Sequence, residues 1–285
     1  MSAGDDRTSL VTLADIHHAH TRIVPHIHRT PLLTSRALDR IATQTVDAYR
    51  KQHERPSSSH RDIHVRLAFK GEHLQRVGAF KMRGATHAVQ AHLAHLQREH
   101  GQRHRDSRGA PFDPTKLWVV THSSGNHAAA LACAAQSVGA RAAVVMPRNA
   151  PSIKKAAVAQ YGARIVECEA TQEAREDAAR ALHEELQAQG EGVHVRFVHP
   201  YDDPLVIAGQ GTLALEMLEQ ADMLQEQDVW TKRERGPALD VVLAPVGGGG
   251  MLSGVAAATR SKDGRIKVYG AEPKSERPFR EEEGG

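Results

Sequence analysis

Leu117-Trp118-Val119-Val120 runs directly into Thr121-His122-Ser123-Ser124-Gly125-Asn126-His127, and from there into the small-residue stretch Ala128 to Val138. An unbroken apolar run of this length reads as a strand buried on both faces. A tight, hydroxyl-rich turn and a helix follow it. That strand–turn–helix unit is how α/β proteins present backbone N–H groups to an anion. Ala, Gly and Cys133 side chains let the helix lie close to a sheet. The pattern then repeats. Ala140 to Met146 is a strand ending at Pro147, Ser152 to Tyr161 a helix closed by Gly162, and Ala163 to Cys168 a strand. Thr171 caps a helix through Leu186, with Glu173 in its first turn, and Val193 to Val198 is a further strand after the turn at Gly190. Strands and helices alternating at short intervals predict an α/β fold, a parallel sheet with helices on both faces.

Upstream lies a second chemical feature. Gly78-Ala79-Phe80-Lys81-Met82-Arg83-Gly84-Ala85 places one lysine between a strand-like run, Val65 to Lys70, and a helix over Ala85 to Leu96 with Val89, Leu93 and Leu96 at helical spacing. Near a helix start the peptide dipoles lower the ammonium pKa. A lysine that is neutral near pH 7 is what Schiff-base chemistry needs, although most lysines so placed are ordinary. Before it, Ser9 to Arg29 reads as a helix ended by Thr30-Pro31. Its histidines (His17, His18, His20, His26, His28) lack a ligand frame and read as a polar face. Pro31 to Ile41 gives an extended piece and a helical turn. Gln44 to Asp62 and Glu99 to Lys116 read as polar surface insertions.

The third feature is Pro245-Val246-Gly247-Gly248-Gly249-Gly250-Met251, set between the apolar strand Ala238 to Ala244 and the helix Leu252 to Thr259. Four glycines in succession are entropically costly and suit a backbone that wraps closely around a ligand, here a phosphate. No Lys-Ser/Thr follows, which excludes a Walker A loop, and the spacing is not that of a dinucleotide fingerprint. A flexible linker would not be flanked so directly by a buried strand and a helix. His199 to Pro204 reads as a loop, Val206 to Gln220 as a helix and Ile266 to Ala271 as a last strand before Glu272-Pro273.

The 285 residues suffice for one large domain or two lobes, and 40% hydrophobic with 25% charged content is ordinary for a soluble globular protein. A net charge of +3 gives no electrostatic case for nucleic acid or membrane as a partner. Two cysteines, Cys133 and Cys168, and a polar start without a signal-like run point to the cytosol. Taken together, a lysine before a helix, a Ser-Ser-Gly-Asn-His turn and a glycine cradle describe a site for pyridoxal 5'-phosphate linked to a lysine, with an amino-acid carboxylate bound alongside.

At this point the chain resembles a known family. Gly-Ala-Phe-Lys-Met-Arg-Gly-Ala, Thr-His-Ser-Ser-Gly-Asn-His, Ala-Pro-Ser-Ile-Lys-Lys, Tyr-Gly-Ala-Arg-Ile-Val, Ala-Gly-Gln-Gly-Thr-Leu-Ala-Leu-Glu and Pro-Val-Gly-Gly-Gly-Gly-Met-Leu-Ser-Gly occur in the order seen in fold-type II pyridoxal-phosphate enzymes. The likeness is to the serine racemase and serine/threonine dehydratase group and runs from about Thr30 to Pro273. It implies two lobes, each with a mostly parallel sheet flanked by helices. Residues 1–116 would start the large cofactor lobe (with insertions at 44–62 and 99–116), 117–196 would form the small lobe, and 197–285 would return to a large lobe that is incomplete, because relatives continue well past Glu272-Pro273.

The resemblance also implies roles. Lys81 would anchor the cofactor and then act as base, Phe80 would lie beside its ring and Asn126 would bond its 3-oxygen. Gly247, Gly248, Gly249, Gly250 and Met251 would hold the phosphate. Ser123, Ser124, Gly125, Asn126 and His127 would receive the substrate carboxylate, and Ser124 would return a proton to the face opposite the lysine. Glu272 matches a residue that binds Mg2+ or Ca2+ in several relatives, while Pro278 stands where a second acid is usual. Ala79 and Val77 replace hydroxyl residues, and Ala129 replaces a glutamine near a nucleotide effector site. The implied reaction is dehydration and deamination of serine or threonine, or racemisation of serine, by a homodimer. β-Replacement and a non-catalytic relative are the alternatives.

Overall fold

Thr12 opens the first helix, α1 (Leu13–Ile23), through a capping box: its side chain accepts from the Asp15 N–H and the Asp15 carboxylate accepts from the Thr12 N–H. The computed structural model describes residues 10–53, 63–103, 111–227, 230 and 236–273. The helix expected to reach Arg29 stops at Ile23, and Pro25 shapes a short 3-10 turn after it. β1 (Leu32–Thr34) then pairs antiparallel with a later strand. α2 (Arg36–His53) continues through the first half of the stretch read as a polar insertion. Residues 44–53 carry no core pattern because the helix lies on the surface, yet Ala, Arg, Lys and Gln are good helix formers. Residues 54–62 lie outside the described residues. Buried Asp39 and half-buried Thr43 secure α2, accepting from the backbone N–H groups of Leu67 and Val65. β2 (Ala68–Lys70) is the partner of β1. α3 (Lys81–Arg103) begins at the lysine itself and runs beyond Leu96 into residues 99–103 of the second expected insertion.

The central sheet comes next: β3 (Leu117–His122), α4 (Asn126–Ser137), β4 (Arg141–Pro147), α5 (Ser152–Ala159), β5 (Arg164–Cys168), α6 (Gln172–Gln187) and β6 (His194–Phe197). All four strands are parallel in the order β5-β4-β3-β6. Side chains alternate between two buried faces. Leu117, Val119, Val144 and Met146 pack with α3, α4 and Val158 of α5, whereas Val120, Ala143, Val145 and Val195 pack with Ala179, Leu182 and Leu186 of α6. The chain first steps outward, β3 to β4 to β5, and then returns to the other side of β3. Right-handed crossovers in opposite directions place α4 and α5 on one face and α6 on the other. The strand order therefore reverses beside β3, where α/β sheets bind ligands at the carboxyl ends of their strands.

Four later elements form a second packed unit: α7 (Pro204–Glu226), β7 (Val241–Pro245), α8 (Gly250–Lys262) and β8 (Lys267–Ala271), with β7 and β8 parallel. α7 is buried along most of its length and packs against α1, α3 and α8. Close approach demands glycine here. A Cβ on Gly209 would lie 2.6 Å from the Gly84 Cα, and one on Gly211 would lie 2.8 Å from the Ile16 side chain. On β7, Val242 and Ala244 face this core. Its other face, with Leu243 70% exposed, is open among the described residues. No helix among the described residues is long and apolar enough to cross a membrane.

Candidate active site

The site is built from four loop–helix junctions. The first holds Lys81. Val77 (φ 57°) and Gly78 (φ 69°) are successive left-handed residues, and the strain of a β-branched residue in that region turns the chain sharply into α3. Met82 and Arg83 donate their N–H groups back to the Ala79 and Phe80 carbonyls, and the Gly84 N–H donates to the buried Gln210 Oε1 at 3.2 Å. The start of α3 is thus tied to α7. Lys81 Nζ donates to the Pro200 carbonyl at 2.6 Å and lies 5.3 Å from the centre of the Phe80 ring. Burial pulls its pKa down to about 8. Desolvation on burial is the cause of the shift.

The second junction is the turn after β3. The Ser123 N–H donates to the Val145 carbonyl, and Ser123 Oγ accepts from the Gly125 N–H at 3.3 Å. α4 then starts at Asn126 with Gly125 as its N-cap and no side chain covering its first N–H groups. Those donors suit a carboxylate. His127 is fully buried. Its Nε2–H bonds the Val198 carbonyl at 3.3 Å, and burial together with the nearby Lys81 charge pushes its pKa down to about 3. The imidazole is therefore neutral, with its Nε2 committed to the residue after β6 and its buried Nδ1 without a hydrogen-bond partner. Ser123, Ser124 and Gly125 are half-buried and Asn126 is exposed.

The third junction is the glycine loop. β7 ends at Pro245 and α8 begins at Gly250, with left-handed Gly249 (φ 83°) as its N-cap and again no side-chain cap. A Cβ on Gly248 would overlap the Tyr201 ring, and one on Gly250 would overlap the Tyr201 carbonyl oxygen. Gly247 has open space where its Cβ would be. Met251 packs into the second core. Consecutive glycines leading into an uncapped helix N-terminus fit a phosphate.

The fourth junction, residues 199–203 after β6, joins the others. The Pro200 carbonyl accepts from Lys81, Tyr201 presses on the glycine loop, and the His199 ring meets Tyr201 edge-on at 4.6 Å. The sequence showed only a loop here. Four adjacent glycines are the signal that some other part of the chain must lie against them. Glu272 sits exposed just beyond β8, and among the described residues no three His, Cys, Asp or Glu side chains gather to hold a metal.

Sequence reading also passed over the support behind Lys81. Arg83 is 0% exposed and donates to both Glu72 oxygens at 2.8 Å and to both Glu216 oxygens at 2.8 and 2.9 Å. Lys70 Nζ donates to Glu216 Oε2 at 2.7 Å, to the Thr30 carbonyl at 2.7 Å and to Gln220 Oε1 at 3.1 Å. Two cations and two anions balance. Burial opposes ionisation of Glu216, yet Arg83 and Lys70 hold its carboxyl below the usual range. Charged residues in otherwise apolar runs, Arg83 after Met82 and Glu216 between Leu215 and Met217, were the available signal.

A lysine amine brought near neutrality, close to two uncapped helix N-termini, defines a protein suited to amine–carbonyl chemistry on an anionic partner. Comparison with known proteins gives that class its family: the model of the pyridoxal-phosphate dependent enzymes matches residues 23–284, and the chain belongs to that family. It is similar to the serine racemase of Dictyostelium discoideum, 37% identical over 263 residues, covering 92% of this chain and 62% of that protein. Likeness to the Homo sapiens serine racemase is also 37%, covering 92% and 60%. The chain thus spans under two thirds of these relatives' length. Among solved structures, the Dictyostelium discoideum serine racemase (37% identical, TM-score 0.65) is covered over 93% of this chain and 67% of its own. A T.th. threonine deaminase (38% identical, TM-score 0.66) is covered over 92% and 65%. These likenesses establish a fold-type II architecture, with a parallel sheet flanked by helices.

The cradle yields a first expected outcome. Gly248→Ala should weaken pyridoxal-phosphate affinity by about ten- to a hundredfold, since overpacking against Tyr201 costs roughly 1–3 kcal/mol. Fluorescence titration reads this, and wild-type affinity in the variant would show that Tyr201 does not press on the loop.

Proposed function

We propose that the protein dehydrates and deaminates L-serine or L-threonine to a 2-oxo acid and ammonia, and racemises serine, using pyridoxal phosphate. The observation that carries this reading is Lys81, whose buried amine has its pKa near 8 and sits at the junction with residues 199–203. Glycines 247–250 and the Met251 N–H would hold the phosphate, Phe80 would flank the ring, and Asn126 would bond the ring oxygen. The N–H groups of 123–127 would bind the substrate carboxylate. When bound, the cofactor supplies an electron sink for charge left at the α-carbon. Lys81, as a free amine, removes the α-proton. Ser124 Oγ is assigned the proton return that yields the D-enantiomer. Support comes from the likeness to serine racemases and a threonine deaminase. Both cysteines are free and buried, which suits the cytosol, and a homodimer is the assembly we assign.

The test is the absorption spectrum of purified protein with added cofactor, followed by L-serine and assays for pyruvate and D-serine. A cofactor band with both products supports the reading. No band sinks it, and a band without product leaves a binding protein.

The Lys81 shift sets the pH dependence of cofactor capture. Below pH 8 the ammonium dominates, and each unit of acid lowers the free amine about tenfold. Capture should therefore rise from about pH 6 to 8 and level off above, by stopped-flow absorbance. A rise continuing to about pH 10 would mean that Lys81 keeps the ordinary lysine pKa.

A further inference from the structure

The cleft between α1, α3 and the start of α7 holds about 400 Å3 and belongs to none of the four junctions above. Arg22 of α1 and Arg98 of α3 both line it, and among the described residues neither forms an ion pair with a carboxylate. Asp15 is the one acid in its wall, and its carboxylate is engaged by the Thr12 N–H at 2.8 Å and hydroxyl at 2.6 Å.

Two imidazoles hold the Arg22 fork in place. Its Nη1 donates to His87 Nε2 at 3.1 Å and its Nη2 to His18 Nε2 at 3.3 Å, while His87 Nδ1 donates to the Leu205 carbonyl at 2.8 Å. The tautomer of His87 follows from those two bonds, and burial keeps the ring uncharged, with a pKa of about 4. A guanidinium is thus oriented without being neutralised. Burial and the Arg98 charge both act against its protonation. His92, in the same wall, has a buried Nε2 with no hydrogen-bond partner. Two guanidiniums without a carboxylate partner against the single Asp15 charge leave the wall net positive, which favours an oxyanion over a metal cation or an apolar ligand.

We infer that this cleft binds a small phosphate-bearing anion, larger than phosphate itself, between Arg22, Arg98 and His92. Its walls include α3 six residues beyond Lys81, and Leu205, five residues past the carbonyl that accepts the lysine. A ligand here touches both elements that hold the lysine. The inference goes beyond the proposed activity and does not depend on it.

The test uses the full chain saturated with pyridoxal phosphate, so that the glycine loop is occupied, and inorganic pyrophosphate as the probe in calorimetry. Saturable one-site binding is expected, weakened about tenfold or more in Arg22→Gln and in Arg98→Gln, the loss of one charge-assisted bidentate contact. In wild-type protein the His92 ring resonances should shift over the same concentration range, a readout independent of whether either variant folds. Absent saturation, unmoved His92 resonances, or equal binding in a folded Arg22→Gln protein would overturn the site. Succinate binding as tightly as pyrophosphate would overturn the ligand class. If the chain takes up no pyridoxal phosphate yet binds pyrophosphate through Arg22, the proposed function fails and this site stands.

Discussion

Lys81→Ala is expected to abolish the absorption band of lysine-bound cofactor and to lower pyruvate formation from L-serine by about four orders of magnitude or more. Two proposed roles disappear with one side chain, covalent anchorage and proton removal, so the expected loss exceeds that of a general base alone. Folding should survive. Burial disfavours the Lys81 ammonium, whose pKa falls to about 8. Its folded value lies below its unfolded one, so between pH 8 and the ordinary lysine range wild-type stability rises with pH, while below that window the charged amine is a burden. Removing it should leave the thermal midpoint at neutral pH unchanged or slightly higher. Separate measurements of midpoint and turnover distinguish the two effects. A variant retaining more than about a hundredth of wild-type turnover would remove Lys81 from the chemistry.

Arg83→Met is expected to destabilise the fold by about 3–5 kcal/mol, because it leaves the Glu72 and Glu216 carboxylates facing the single remaining cation, Lys70, in a site where Arg83 is 0% exposed. A loss of that size lowers the melting temperature by roughly 10 °C in a chain this long. The pH dependence supplies a second check. In wild-type protein Glu216 is held below its usual range by Arg83 and Lys70 despite burial, so it contributes stability that is lost as the solution is acidified through its folded pKa. In the variant the stranded carboxyls are pushed up, and acid relieves them by protonation. The gap between the two proteins should therefore narrow from about pH 7 toward about pH 4, near the ordinary glutamate value. A constant gap in urea titrations would show that Arg83 contributes packing rather than charge. Turnover should fall with stability, since the network lies two residues beyond Lys81.

Much of the fold was legible because its signals are local. The run from Leu117 to Val138 predicted a strand, a turn and a helix, and β3 and α4 occupy that stretch. Thr171 predicted a cap, and its side chain accepts from the Ala174 N–H. Surface elements were harder. Residues 44–53 read as an insertion because an exposed helix needs no apolar stripe, only residues that favour helix.

For the candidate site, the sequence alone singled out three segments suited to chemistry: a lysine just before a helix, a hydroxyl-rich turn after a buried strand, and a glycine run before a helix. Each follows from residue type, period and the φ > 0 that glycine permits. Only the tertiary structure decided what those segments meet. Burial brings the Lys81 pKa to about 8, and the Pro200 carbonyl comes to its amine from a loop more than a hundred residues away. Tyr201 lies on the glycines, Glu72 and Glu216 close on Arg83, and Arg22 stands against His87. Desolvation and long-range pairing depend on which elements share a core, and no local pattern along the chain encodes that.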